Sequence, residues 1–209
     1  MKSIHVYDFD NTLFLSPLPN PKLWNGPTMG QLQHQEAFTN GGWWHNSAIL
    51  AATGEGVAKE EARAWEGWWN ELVVSLVELS MAQKDTLKVL LTGRSAKGFS
   101  ELIQRIVATR NLEFDMICLK PEAGPEGEKI QNTKQFKTTL LSKMMDTYVH
   151  AEDLKIYEDR LGHVHAFEQF FQEYNEGMLK AGRREMRVDI VQVASLTVSP
   201  CLRQLGVVG

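Results

Sequence analysis

The stretch HVYDFDNTLF, His5 to Phe14, decides the fold. An apolar run ends in two aspartates, Asp8 and Asp10, two residues apart. In an extended chain, residues i and i+2 project from the same side. The two carboxylates therefore share one side of a strand end and repel each other. A single acid there can serve as a turn former. Two on one side imply that something sits between them.

Working outward, the 209 residues suffice for one sizeable core and a small insertion. Hydrophobic residues make up 43% and charged residues 23%, the balance of a soluble globular protein. The net charge of −4 argues against a protein that coats nucleic acid or anionic membrane, though a local basic patch is compatible with it. Cys118 and Cys201 have neither a disulfide framework nor metal-ligand spacing, and both read as buried, inert thiols. Aspartates stand where a signal peptide needs an apolar run, and no stretch reaches transmembrane length. A reducing intracellular compartment, cytoplasm or nucleus, is the default.

The pattern then alternates. Strands are expected at Ile4–Tyr7, Leu87–Gly93, Phe114–Leu119, Leu154–Asp159 and Arg187–Val193. Helices are expected at Ala58–Met81, Phe99–Ala108, Thr133–Met145 and Val164–Leu179. In the first helix, Trp65, Trp69, Leu72, Val73 and Leu76 recur at helical spacing behind an acidic first turn. Turn formers crowd SPLPNPKLWNGP and NGGWW, and a Gly/Pro-rich loop covers Pro121–Gln131. Such alternation predicts an α/β fold, a parallel sheet with helices on both faces. One domain over residues 1–194 is expected, with a tail at 195–209.

Active sites of such sheets lie at the carboxyl ends of the strands. Those ends carry Asp8-Phe9-Asp10, Thr92-Gly93-Arg94 and Glu158-Asp159-Arg160. Lys120 follows the third strand, and the next helix opens with Lys134 and Lys137. Any one cluster reads as a solvated strand end. All of them together read as a site.

In that order, DFDNTLF, LLTGR, a later lysine and IYEDR resemble the four motifs of the haloacid dehalogenase (HAD) superfamily of phosphatases, over roughly Ser3 to Phe171. Within it, LFLSPLPNPKLW, GGWWHNSAIL, FDMICLKP, TKQFK and IYEDRLGHVHAF are similar to the HAD domain of the Swiss Army Knife RNA repair proteins. The E-D-R form of motif four is also similar to the phosphatase half of polynucleotide kinase-phosphatases. The resemblance implies a HAD-like (Rossmann-like) sheet and a Mg²⁺-dependent phosphatase. Asp8 would be the nucleophile, forming an aspartyl-phosphate. Asp10 would give and take the leaving-group proton, its backbone carbonyl touching the metal. Thr92, with Gly93 and Arg94 beside it, would bind the phosphoryl group. Asp159 would bind Mg²⁺ directly, and Glu158 would bind through water or position it. A lysine would neutralise charge on the phosphoryl oxygens. Lys137 is the choice over Lys120 and Lys134, because it flanks the stripe of Phe136, Leu140 and Met144 near a helix N-terminus that itself favours phosphate. Asn11 stands where glycine is commoner in the superfamily, and asparagine tolerates a tight turn.

Motif one lies 92 − 8 = 84 residues before motif two, too far for one βα unit. The interval, read as a helical cap at about 15–85, holds all six tryptophans. Trp65 and Trp69 read as cap core. Trp43 and Trp44, in a loop, read equally as core or as stacking platforms for nucleobases. Arg160 and His163 are candidate substrate contacts, with helix capping the simpler role for His163. Arg183, Arg184 and Arg187 read as a solvated face. The functional expectation is removal of a terminal phosphate from RNA or another nucleic acid. A phosphatase of nucleotides or sugar phosphates, and a non-catalytic nucleic-acid-binding module, are the alternatives.

Overall fold

A computed structural model describes residues 1–194, apart from 35, 37, 40, 125 and 126. Cys201 and the tail at 195–209 lie outside the described residues. The elements run β1 (Ser3–Tyr7), α1 (Gly26–Gln33), α2 (Ser47–Ala51), α3 (Val57–Ala62), α4 (Glu71–Met81), β2 (Thr86–Ser95), α5 (Ala96–Ala108), β3 (Met116–Lys120), α6 (Thr133–Thr147), β4 (Asp153–Glu158), α7 (Leu161–Lys180) and β5 (Arg187–Gln192). The strands form one sheet in the order β3-β2-β1-β4-β5, and every pairing is parallel. The fold is α/β, as the alternation predicts.

The sheet buries both faces, so its central strands are apolar throughout rather than alternating. Ile4, Val6, Leu87, Val89, Leu91, Leu154 and Ile156 turn one way, onto Phe136, Leu141, Met144, Phe167 and Phe171 of α6 and α7. Tyr7, Leu90 and Tyr157 turn the other way, onto Val73, Val74 and Val77 of α4 and Phe99, Ile103 and Ile106 of α5. Each such side chain taken out of water contributes about 1.5–3 kcal/mol. Among the described residues, no helix is long and apolar enough to cross a membrane.

The single helix expected over Ala58–Met81 is two helices. Between α3 and α4 the chain turns through left-handed backbone at Ala64 (φ 51°), Trp65 (φ 54°) and Gly67 (φ 74°). The break lets residues around Trp69 run extended beside the motif-one loop. Leu15 N–H donates to the Trp68 carbonyl (2.8 Å) and Asn70 N–H to the Leu13 carbonyl (3.0 Å). Trp65 and Trp69 then both meet the Phe14 ring edge-on, at 5.8 and 5.3 Å. Buried aromatic packing has overridden helix propensity here. The heptad-like phase shifts with it, leaving Leu72 74% exposed while Val73, Val74 and Val77 face the core. Strand β2 also runs past Gly93, where the sequence suggests a stop. Helix α7 begins three residues before Val164, and Leu140 is only half-buried while Leu141 takes its place in the core. Arg183, Arg184 and Arg187 are exposed at the opposite edge of the sheet from the motif residues, where Arg187 pairs with Asp153 at 2.6 Å.

Candidate active site

Strand β1 ends by handing Asp8 N–H to the Tyr157 carbonyl of β4, 3.0 Å away. The chain then closes a loop in which Leu13 N–H donates to the Asp8 carbonyl and Phe14 N–H to that of Phe9. Asn11 takes the left-handed conformation this loop needs, φ 58°, which asparagine reaches at small cost. Phe9 is fully buried and stacks on Phe14 at 5.2 Å. With Phe9 driven into the core, Asp8 and Asp10 emerge together on the other side.

Helix α6 brings a side chain to the acid that follows β1. Its N-cap is Asn132, whose side chain accepts from Gln135 N–H. One turn on, Lys137 is 1% exposed and its ammonium sits between Asp8 Oδ1 (2.5 Å) and Glu158 Oε2 (2.6 Å). Lys134 is exposed and Lys120 half-buried at the end of β3. Glu158, from the last position of β4, also accepts from Arg160 N–H (3.2 Å) and shares a hydrogen with His163 Nδ1 (3.1 Å). His163 therefore faces Glu158 from the first turn of α7, while the Arg160 side chain is half-exposed beside it.

These carboxyls titrate apart. Burial pushes the Asp8 carboxyl up to about 7; the Lys137 ammonium opposes that rise and the Glu158 charge adds to it. Burial also works to raise Glu158, but Lys137, the His163 hydrogen bond and Arg160 outweigh it and hold Glu158 well below the usual carboxylate range. Asp159 rises to about 6, through burial and then the Glu158 charge. Asp8 and Asp159 thus hold a proton to higher pH than an ordinary carboxylate, and Glu158 gives its proton up earlier.

Asp10 lies in a separate cradle. Ser16 Oγ donates to its Oδ1 at 2.6 Å. Arg94 meets the same oxygen through Nη2 at 2.7 Å and spans both oxygens through Nε at 3.1 Å. Thr92 Oγ1 lies 3.4 Å from Oδ2 and accepts from Arg94 N–H. Burial would raise Asp10, but Arg94 and Ser16 hold it below the usual range. The arginine reaches inward because β2 is irregular: the register with β3 passes from Thr92↔Leu119 to Ser95↔Lys120, leaving Gly93 and Arg94 without partners in the ladder. Such a bulge re-aims side chains. Arg94, expected among substrate contacts, is only 4% exposed and its guanidinium meets Asp10. Its Nη1 donates to the Trp44 carbonyl at 2.9 Å, and its guanidinium lies 5.1 Å from the Trp44 ring and 4.7 Å from that of Phe99.

The two tryptophans of the GGWW loop part company. Trp43 Nε1 donates to the Pro17 carbonyl at 2.8 Å, a packing strut. Trp44 is half-buried over Arg94 at the mouth of the site. The next residue, His45, is held below the ordinary histidine value by partial burial and then by the charges of Lys120 and Arg94, so both cations act on this loop.

Asp8, Glu158 and Asp159 can each offer an oxygen within 4.8 Å of the others. The Asp10 carboxylate, held by Arg94 and Ser16, is not in this group; the contact expected of Asp10 is through its backbone carbonyl. A hard divalent cation such as Mg²⁺ prefers such an all-oxygen set. Asp8 Oδ2 fits that role, being buried with no hydrogen-bond partner while Oδ1 is held by Lys137. Ser16, a residue that sequence reasoning missed, carries a weak signal: six positions past Asp10 in a run of turn formers, it is indistinguishable from another loop residue.

Residues 16–200 match the model of HAD domain family 1 in Swiss Army Knife RNA repair proteins. The chain is 33% identical over 186 residues to the Saccharomyces cerevisiae protein named Uncharacterized protein YMR265C, across 85% of this chain and 38% of that one. It thus spans well under half of that relative's length. Among solved structures, it is similar to the HAD domain of effector protein Lem4 from Legionella pneumophila, with TM-score 0.45 and 10% identity over 98% of this chain and 92% of that chain. It is also similar to a phosphoserine phosphohydrolase-like protein from Francisella tularensis, with TM-score 0.41 and 15% identity over 81% and 83%. Asp8 and Asp10 precede the matched span and stand on their own geometry, whereas Thr92, Lys137, Glu158 and Asp159 fall inside it, and the chain belongs to the HAD domain family of Swiss Army Knife RNA repair proteins.

Proposed function

We propose that the chain is a Mg²⁺-dependent phosphohydrolase that works through an aspartyl-phosphate and removes a terminal phosphate from RNA. The observation that carries the chemistry is Asp8: one oxygen is anchored by Lys137, and the other is buried and unpartnered. A carboxylate oxygen left bare at the bottom of a site is costly unless a ligand meets it.

In the first half-reaction, the Asp8 carboxylate attacks phosphorus through one of its oxygens. The bond from phosphorus to the ester oxygen breaks, and Asp10, which must first take up a proton against the pull of Arg94 and Ser16, gives that oxygen the proton. In the second half, Asp10 takes a proton from water, the water oxygen attacks phosphorus, and the bond to Asp8 breaks to release inorganic phosphate. Lys137 stabilises charge on the phosphoryl oxygens, and the Thr92 hydroxyl donates to one of them. Asp8, Glu158 and Asp159 would hold the cation, which when bound offsets the repulsion among these acids and the anionic phosphate. The RNA half of the proposal rests on the family, and on a half-buried indole with Lys120 and Arg160 near the mouth.

The test is phosphate release with Mg²⁺ from 3′- and 5′-phosphorylated oligonucleotides, mononucleotides and sugar phosphates, run beside Asp8→Asn. Oligonucleotides should turn over fastest, and Asp8→Asn should be inactive with an unchanged circular dichroism spectrum. Undiminished release by that variant overturns the nucleophile. Release from sugar phosphates or mononucleotides in preference to oligonucleotides overturns the substrate.

A further inference from the structure

We infer that Ser16 and Arg94 are positioning residues that lock Asp10 Oδ1, leaving Oδ2 as the oxygen that exchanges the proton with the leaving group. The inference rests on the reading of Asp10 as the acid–base group. Ser16 is 4% exposed and its hydroxyl donates at 2.6 Å. The shortest Arg94 contact, 2.7 Å through Nη2, falls on the same oxygen. Arg94 Nε lies 3.1 Å from both oxygens, so the two short contacts, 2.6 and 2.7 Å, distinguish Oδ1, while Oδ2 adds Thr92 Oγ1 at 3.4 Å. Oδ2 is thus turned toward Thr92, the hydroxyl assigned to the phosphoryl group. A donor group pinned at one oxygen can turn its other oxygen only within a narrow range, which keeps proton transfer within reach.

The clamp is tied to the insertion. Ser16 follows the motif-one loop, and Arg94 is held from above by the Trp44 carbonyl and ring. Residues between β1 and β2 therefore help to set the geometry of the acid–base group from both sides. Neither serine nor arginine has to touch substrate to do so.

Leaving-group dependence separates this role from a structural one. A phenolate with electron-withdrawing substituents departs without a proton, whereas an alkoxide needs one. A misaligned acid therefore costs rate in proportion to leaving-group basicity. The experiment measures kcat/KM for Ser16→Ala, Ser16→Thr, Arg94→Lys and Asp10→Asn on p-nitrophenyl phosphate, phenyl phosphate and an alkyl phosphate. Asp10→Asn should lose roughly 10²- to 10⁴-fold on the alkyl ester and far less on p-nitrophenyl phosphate. Ser16→Ala and Arg94→Lys should show the same trend at roughly 10-fold, the scale of one hydrogen bond to a charged group. Ser16→Thr, which keeps the hydroxyl, should restore it. If Asp10→Asn loses activity equally on all three esters, the acid–base reading fails. If Asp10→Asn shows the trend while Ser16→Ala and Arg94→Lys lose activity equally on all esters, or not at all, the clamp is overturned and the acid–base reading stands.

Discussion

Lys137 is the residue on which packing and chemistry meet. Its ammonium is buried between two carboxylates that carry opposite titration shifts, with Asp8 up and Glu158 down. Taking one cation out of such a cluster leaves two acids facing each other in the interior, which costs about 3–5 kcal/mol for a broken buried pair. Lys137→Met should therefore lower stability by that order in urea unfolding, and lower kcat at least roughly 10²-fold on every phosphate ester. A merely structural lysine and a catalytic one differ in the second variant. Lys137→Met with Glu158→Gln removes the repulsion and should regain most of the stability while staying inactive. Recovery of activity along with stability would reduce Lys137 to a counter-ion. The residues that meet here were largely readable in the sequence, because Asp8, Thr92 and the Glu158-Asp159 pair stand at or near strand ends and Lys137 in the first turns of α6. Partners were not. That Arg94 pairs with Asp10 depends on a bulge, and a bulge leaves no mark in a run such as LLTGRS.

At the scale of elements, the site is assembled by one irregularity and a close approach. Strand β2 bulges at Gly93 and Arg94, and α6 begins against that bulge. A Cβ on Gly93 would lie 2.4 Å from Thr133 Cγ2 and 2.8 Å from its Oγ1, so the glycine lets the first residue of α6 pack directly on β2. Lys137 rides on that helix one turn later. Gly93→Ala should push α6 outward, costing about 1–3 kcal/mol as an overpacked contact, and should weaken turnover by moving Lys137 from Asp8. Gly93→Ala combined with Thr133→Gly removes both offending atoms and should recover activity beyond the single variant. If Thr133→Gly brings no recovery, Gly93 is required for something other than this contact. The split between α3 and α4 shows where element reading falters. Gly67 and the potential cap Asn70 inside Ala58–Met81 were available as break signals. The periodic tryptophans masked them, because an aromatic buried from a turn and one buried from a helix face look alike in sequence. The sheet itself was legible from apolar runs bounded by turn formers, since parallel strands buried on both faces have little freedom in composition.

Across the molecule, the fold converges three carboxyls on one point at the carboxyl edge of a twisted sheet, and stability must register that. Asp8 and Asp159 have folded-state values raised to about 7 and about 6, with burial the leading cause in both. Unfolded, each titrates near the ordinary carboxylate value of about 3.9. Between those limits the folded state binds more protons than the unfolded state. The slope of unfolding free energy with pH is then negative, so the metal-free protein is most favoured below about pH 4 with respect to these groups and loses that contribution as pH rises through 6 and 7. A cation held by the same oxygens reverses the trend, because it binds only where they have lost their protons and it binds the folded chain alone. At 100 times its dissociation constant a ligand adds about 2.7 kcal/mol, which for a chain of this size is a melting shift of roughly 5–10 °C. Mg²⁺ should therefore raise Tm by several degrees at pH 8 and by less than half as much at pH 5, where protons compete for Asp8 and Asp159. EDTA should return the pH 8 protein to its metal-free Tm and abolish phosphate release together. Asp8→Asn should remove most of the Mg²⁺ shift at pH 8 while leaving the circular dichroism spectrum unchanged. Thermal melts of wild type and Asp8→Asn at both pH values, with and without Mg²⁺, supply the measurement. An equal shift at pH 5 and pH 8, or one that survives Asp8→Asn in full, would place the cation somewhere other than this cluster.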